Sequence, residues 1–154
     1  MLLLAFFGAL VLLLSSLSIQ TAALQARSSE LSLRRRRQQE DALASAAQLV
    51  ASRLAAFPCA LGLSLRAWIA DDTCMSEEVL QRLSTGTIPG PDAERGTYLL
   101  TDYSPQSNGS GVIDGALLTV RWTPTRGRVS QRRFRVLLAA TGSDGSLRLQ
   151  GVRP

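Results

Sequence analysis

The chain has 154 residues and a formal net charge of +5, and because it contains neither histidine nor lysine, all 17 basic residues are arginine. A chain of this length holds one domain with room for an appendage. Without histidine, the chain alone cannot form a Ser-His-Asp or Cys-His catalytic site, and it lacks the commonest metal ligand. We therefore expect a protein that is not an enzyme and that uses no metal or other cofactor.

The first 57 residues have the composition of one uninterrupted helix. Residues 2–26 are uncharged, and residues 1–57 contain no proline and a single glycine, Gly8. A membrane-spanning helix needs about 20 residues, so residues 1–26 are predicted to be a transmembrane segment. A cleaved secretory signal peptide is the alternative, although the basic region of such signals is missing. The predicted anchor residues are Leu2, Leu3, Leu4, Phe6, Phe7, Leu10, Leu12, Leu13, Leu14, Leu17 and Ile19.

The charges and the cysteines give opposite indications of the side of the membrane on which the rest of the chain lies. Positive charge follows the span at Arg27 and in the run Arg34–Arg37, which by the positive-inside rule would hold the rest of the chain in the cytoplasm. Cys59 and Cys74 instead favour an exported domain, in which such a pair usually forms a disulfide. The predicted disulfide would contribute about 3 kcal/mol, and its alternative is two separate buried thiols. A short basic leader upstream of Met1 would reconcile the two indications.

The run Arg34–Arg37 has two interpretations of its own. It is either a solvated helix face, partly balanced by Glu30, Glu40 and Asp41, or a contact surface. In the second case it would bind anionic lipid headgroups or acidic groups on neighbouring subunits.

Residues 27–57 are predicted to continue the first helix in water. Apolar residues recur there at spacings of three and four, which predicts one apolar stripe on a helix. Pro58 is expected to end the helix, because the residue before a proline avoids the α region. A helix from Leu2 to Phe57 would be about 84 Å long, so part of it must meet lipid and part solvent or other subunits. The predicted helix-packing residues are Leu43, Ala46, Ala47, Val50, Leu54 and Phe57.

Residues 58–154 are predicted to form a small α+β head domain. Residues 61–70 are apolar enough for the core, with Trp68 and Ile69 as anchors. A short helix is predicted to begin after Ser76, which has the preferences of an N-cap, and to close at Gly86.

The remainder of the head is predicted to be a loop followed by strands. Residues 84–96, rich in glycine and proline, are predicted to be the loop. Alternation of apolar and polar residues then predicts strands over 97–103, 116–123, 132–141 and 147–152. The predicted fold class is α+β, a long N-terminal transmembrane helix packed on a small antiparallel sheet of three or four strands.

One hairpin of the head is strongly basic. Six arginines lie between residues 121 and 135, and no acidic residue occurs between Gly115 and Gly142. Such a patch can contact the phosphates of DNA. The alternative is a solvated hairpin whose charges discourage edge pairing. The possible anion- or DNA-contacting residues are Arg121, Arg126, Arg128, Arg132, Arg133 and Arg135.

The order of segments in the first helix resembles a known superfamily. An apolar run is followed by residues 24–31, which include Glu30, then by the arginine step, then by residues 41–48 with the step Ala46-Ala47-Gln48. This arrangement resembles the type IV pilin and type II secretion pseudopilin superfamily, especially its minor members of the PilX-like or GspK-like kind. Many of these carry a glutamate where Gln48 stands. The segment Val120-Arg121-Trp122-Thr123 also resembles pseudopilin sheets.

The resemblance implies a pilin-like fold and a structural role. The protein would be a single-pass subunit of a type IV pilus or type II secretion filament, anchored in the bacterial inner membrane. Its C-terminal domain would lie in the periplasm or on the filament, and its partners would be membrane lipid and other pilin or pseudopilin subunits. The alternatives are a signal-anchored periplasmic protein of unknown binding function and a DNA-uptake pilin that uses hairpin 121–135.

Overall fold

The computed structural model describes the backbone of residues 2–70, 73–89, 95–141 and 146–154, and their side chains except at 2–5, 9, 11–19, 89 and 95. Within these ranges the secondary structure is α+β with a long N-terminal helix and an antiparallel sheet, which confirms that part of the prediction. The helices are α1 (Leu2–Leu54), α2 (Pro58–Leu61), α3 (Leu65–Ala70) and α4 (Glu77–Ser84). The strands are β1 (Thr85–Pro89), β2 (Arg95–Ser107), β3 (Ile113–Pro124), β4 (Ser130–Thr141) and β5 (Ser146–Arg153).

The chain divides into two compact units, residues 1–37 and residues 38–154. The described backbone of the first unit is entirely helical. Every side chain from Gln20 to Arg37 is exposed, and Leu24, Leu31 and Leu33 are 65%, 59% and 55% exposed. A helix that exposes large apolar side chains to water gains no hydrophobic stabilisation from them.

The last part of α1 belongs to the second unit and lies in its core. Leu43, Ala46, Ala47, Val50 and Leu54 are buried, and they form one apolar cluster with the inner face of the sheet. This stripe therefore packs within the chain itself.

The first helix ends three residues earlier than predicted. Its last turn tightens, with Phe57 N–H donating to the carbonyl of Leu54 at 2.9 Å. Phe57 leaves the helical region, with φ −125° and ψ 76°, because Pro58 follows it. Pro58 also occupies the first turn of α2, where a proline loses no helical hydrogen bond. The proline therefore both ends one helix and begins the next.

The sheet is an antiparallel meander in which strands β1 to β5 follow one another in chain order. The prediction of three or four strands was wrong, because β1 lies in the segment predicted to be a loop. Gly86 does not close α4 either. Instead, α4 passes directly into β1, where the extended Thr85 donates its N–H to the carbonyl of Gln81.

Gly86 has a packing role within β1. It is the strand partner of Tyr98, and a Cβ at Gly86 would lie 2.6 Å from the Tyr98 ring. A glycine here lets the ring lie over the strand, which explains why a residue typical of helix ends occurs inside a strand.

The inner face of the sheet holds the core of the second unit. Leu118, Val120 and Trp122 of β3 are fully buried, and Phe134 and Val136 of β4 are at most 2% exposed. Helix α2 contacts β5, α3 contacts β2, and α4 contacts both β1 and β2.

Of the two predicted anchors in residues 61–70, only Trp68 is in the core. Its ring centroid lies 4.7 Å from that of Tyr103, and its Nε1–H donates to the carbonyl of Ala60 at 3.0 Å. Ile69 is 65% exposed, so that prediction was wrong. A short helix such as α3 presents one face to the core, and consecutive residues point in different directions.

Candidate functional site

The outer face of the sheet carries several exposed arginines. In the β3–β4 register, Leu117 pairs with Arg135, Thr119 with Arg133 and Arg121 with Gln131. Because side chains alternate across a strand, these residues lie opposite to the buried row of Leu118, Val120 and Trp122. Arg121, Arg133 and Arg135 are all exposed.

Two further arginines join this face from β5. Arg153 pairs directly with Arg135, and Arg148 pairs with Ala139. Neither was among the residues predicted to contact anions, because both lie outside the basic hairpin in sequence. Strict alternation along β5 would place Arg148 and Arg153 on opposite faces. The register shift between Leu137 and Leu138 leaves Gln150 without a strand partner and so brings both arginines to the outer face. We call the set Arg121, Arg133, Arg135, Arg148 and Arg153 the arginine face.

Arg132 does not belong to the arginine face. It pairs with Val120 and lies on the same side of β4 as Phe134, with its guanidinium carbon 5.9 Å from the centroid of that ring. Its Nη1 lies 4.0 Å from a carboxylate oxygen of Glu40 in α1. Arg126 and Arg128 are exposed in the β3–β4 connection. The predicted set is therefore divided between two faces and a loop.

The arginine face has little local compensation of its charge. Among the residues whose side chains are described, no acidic group forms an ion pair with any of its five members. Arg121 donates from Nε to the Gln131 amide oxygen at 3.4 Å. Asp102 shares the face and pairs with Thr119, whose other partner is Arg133. Thr119 is only 6% exposed, although it is on the outer side. Long side chains in neighbouring positions cover such a residue with their aliphatic stems.

The aromatic residues of the sheet all lie on the other side. Tyr98, Tyr103 and Trp122 are fully buried, and Phe134 is 2% exposed. The described side chains of the outer face thus combine arginine with Asp102, with threonine, serine and glutamine and with a few aliphatic residues, and they offer no aromatic ring for stacking.

The predicted disulfide is confirmed. Cys59 in α2 is bonded to Cys74, with 6.0 Å between their Cα atoms. This cross-link closes a segment that contains α3 and that covers part of the inner face. In the same region the Tyr103 hydroxyl donates to the Leu61 carbonyl at 2.9 Å, and burial raises the pKa of the Tyr103 phenol well above its usual value.

A groove of about 740 Å³ lies between the end of α1 and α4. At its wall, Arg53 Nη1 donates to the Tyr98 hydroxyl at 2.8 Å and also to the Arg82 carbonyl. Burial raises the pKa of Tyr98, and the positive charge of Arg53 opposes that shift. Arg82 forms an ion pair with Glu78, four residues earlier on α4. The charged side chains of the groove, Arg53, Glu78 and Arg82, thus all have partners within the protein. The groove is lined by Arg53, Ala56, Phe57, Glu78, Val79, Gln81, Arg82, Leu83 and Thr85.

No metal centre is found in the described part of the chain, where no group of three or more Cys, Asp or Glu side chains could hold an ion.

The predicted helix-packing residues are brought together, and most of the predicted anchor residues cannot be placed. Phe57 is half-buried at the margin of the core that holds the other helix-packing residues. Of the anchor residues, Phe6, Phe7 and Leu10 are exposed. The side chains of Leu2, Leu3, Leu4, Leu12, Leu13, Leu14, Leu17 and Ile19 lie outside the described residues. Among the described residues, no helix combines the length and the hydropathy of a membrane span.

Comparison with protein-family models, with curated proteins and with solved structures gives no match to this chain.

Proposed function

We propose that the protein is a membrane-anchored minor pilin or pseudopilin, a structural subunit of a filament of the type IV pilus or type II secretion kind. In this proposal the N-terminal part of α1 lies in the bacterial inner membrane before assembly. The second unit is the head domain in the periplasm or on the filament. Its disulfide agrees with an oxidising compartment.

The observation that carries the proposal is the contrast within α1. Residues 43–54 place a small-residue stripe in the chain's own core, whereas the described side chains from Gln20 to Arg37 are all exposed. Leu24 and Leu31 are seven residues, or one heptad, apart and therefore share one face of the helix. Leu10 lies two heptads before Leu24. A leucine row at this spacing is typical of a helix that packs against other helices.

This contrast also identifies which residues would pack between subunits. The buried stripe is already covered within the chain, so contacts with neighbouring helices would involve Leu24 and Leu31 instead. Polar substitution at Ala46 or Val50 would then act by unfolding the head rather than by weakening a subunit contact.

Incorporation into filaments tests the proposal directly. We expect the variant Leu24→Asp with Leu31→Asp to form a folded, disulfide-bonded head but to be lost from the sheared filament fraction of the native host. Ser29→Asp with Ser32→Asp is the matched control, because it also adds two charges but at exposed positions that are already polar. Equal recovery of the double variant and the wild type in filaments would contradict the proposal.

The mature N-terminus provides an independent test. Mass spectrometry of the protein from host membranes should find an N-methylated end before or within the apolar run. An intact Met1 would favour a signal-anchored periplasmic protein, which is the second candidate. An end near Ala26 would indicate a cleaved signal peptide and would overturn the proposal.

A further inference from the structure

The arginine face has an arrangement that the fold itself does not need. Arg135 and Arg153 are directly opposite each other on neighbouring strands, and Arg133 is two residues from Arg135 on the same side. Like charges in directly opposed positions destabilise a sheet. No described acidic residue is paired with these three arginines. The repulsion would be relieved by an anionic partner that covers this surface.

We propose that the arginine face binds the phosphate backbone of a double-stranded nucleic acid without reading its bases. The proposal stands on the charge and geometry of the sheet and does not depend on the filament proposal. Its site differs from the basic hairpin, because it includes Arg148 and Arg153 and excludes Arg126, Arg128 and Arg132.

The spacing of the arginines suits several simultaneous phosphate contacts. Neighbouring strands lie about 5 Å apart, and residues two positions apart in a strand are separated by about 7 Å. Arg133, Arg135 and Arg153 therefore form a compact group, with Arg121 and Arg148 farther out on the same face. The planar guanidinium group forms paired hydrogen bonds with phosphate oxygens. Such contacts position a duplex but carry no sequence information.

The placement of the aromatic residues favours a duplex over a single strand. Proteins that bind single strands combine basic grooves with aromatic side chains on which the bases stack. Here Tyr98, Trp122 and Phe134 all point into the core. Apart from Asp102, the outer face offers threonine and glutamine beside its arginines, and these groups can donate hydrogen bonds to phosphate but cannot stack on a base.

The apolar content of the face disfavours a membrane surface as the partner. Binding to a bilayer interface depends on apolar area buried in lipid as well as on charge. Leu99, at 39%, is the only large apolar residue that is exposed among the described side chains of this face, and Leu117 and Leu137 are half-buried. A partner that is held by charge alone fits this surface better.

The test measures binding of the full-length protein, in a non-ionic detergent, to a labelled DNA duplex at several salt concentrations. The variant combines Arg133→Gln, Arg135→Gln and Arg153→Gln. The matched control combines Arg34→Gln, Arg36→Gln and Arg37→Gln on α1, so both triples remove three positive charges. Circular dichroism verifies that each variant is folded.

We expect the arginine-face triple to weaken duplex binding by about tenfold or more. It should also reduce the slope of log affinity against log salt concentration by about 2.7, since each lost phosphate contact reduces it by roughly 0.9. The control triple should change the affinity by less than about threefold and leave the slope nearly unchanged.

Three results would overturn the proposal. The wild type could fail to bind the duplex, the two triples could weaken binding equally, or a single strand could bind more tightly than the duplex. In the first case, binding to phosphatidylserine-containing vesicles would make lipid headgroups the partner. If the filament test fails while this one succeeds, the nucleic-acid site stands without the filament.

Discussion

On the inner face of the sheet, Trp122, Phe134 and Val136 are at most 2% exposed and pack with α1 into one cluster. On the outer face, one residue away along the same strands, Arg121, Arg133 and Arg135 are exposed and lack described acidic partners. The inner face thus accounts for the stability of the second unit, whereas the outer face carries charge that stability does not require. Residues that contribute nothing to the fold are the better candidates for recognition. Removing a buried side chain from the inner face should therefore lower the free energy of unfolding, whereas removing a charge from the outer face should raise it.

The largest effect is expected at the centre of the inner face. Trp122→Ala should lower the free energy of unfolding by about 3–5 kcal/mol, because it removes a fully buried ring and leaves a cavity. Its exposed neighbour Thr123 provides the control, and Thr123→Ala should change stability by less than about 0.5 kcal/mol. Urea unfolding followed by circular dichroism measures both. Similar midpoints for the two variants would contradict the assignment of the faces.

The next effect concerns the cross-link over the inner face. Replacing both Cys59 and Cys74 with serine should destabilise the second unit by about 3 kcal/mol, because the unfolded chain loses the restraint of a closed loop. Reduction of the wild type should produce the same decrease in the urea midpoint. A midpoint that does not respond to a reducing agent would show that the cross-link does not stabilise the fold.

A smaller effect with a distinct pH dependence is expected at Tyr103. Tyr103→Phe should cost about 1–3 kcal/mol near neutral pH, because the Leu61 carbonyl loses its buried donor.

The same residue should make the wild type sensitive to alkali. Burial raises the pKa of Tyr103 in the folded state, so its contribution is fully present below the unfolded pKa of about 10. That contribution is lost as the pH rises above this value, because the unfolded phenol ionises first. The stability of Tyr103→Phe should therefore fall less steeply above about pH 10. Parallel stability curves for the two proteins would argue against burial of the phenol.

The smallest effect has the opposite sign and belongs to the outer face. Arg153→Gln should stabilise the second unit by about 0.2–1 kcal/mol, because it removes a like charge directly opposite Arg135. Arg148→Gln is the control, since Arg148 faces Ala139 and has no opposed charge. Thermal unfolding at low salt compares the two, and the difference should shrink at high salt. A loss of stability in Arg153→Gln would mean that this arginine serves the fold.

Much of the α+β organisation followed from local patterns. The stripe of Leu43, Ala46, Ala47, Val50 and Leu54 was visible because helical periodicity reports burial on one side. The strands around Val120 and Val136 were visible because a sheet buried on one face produces alternation. The first strand was missed because Gly86 and Pro89 are typical of loops, and Gly86 is explained only by the ring of Tyr98, twelve residues away.

The candidate site was less predictable than the fold. The arginines between residues 121 and 135 marked the hairpin as basic. Charge density along the chain, however, does not show on which face of the sheet each side chain lies. Arg132 therefore entered the prediction although it lies beside Phe134 and Glu40. Arg153 was omitted although it lies beside Arg135.

Local sequence determined the long apolar-to-polar first helix, the cysteine pair and the helical and extended segments other than β1, because these depend on periodicity, composition and residue type over short distances. Tertiary structure alone decided which arginines share a surface. Strand register couples residues that are distant in sequence, and a shift of one residue would move every side chain to the other face. The physical reason is that the register is selected by the buried row, including Trp122 and Phe134, and the charges on the opposite side follow from that selection.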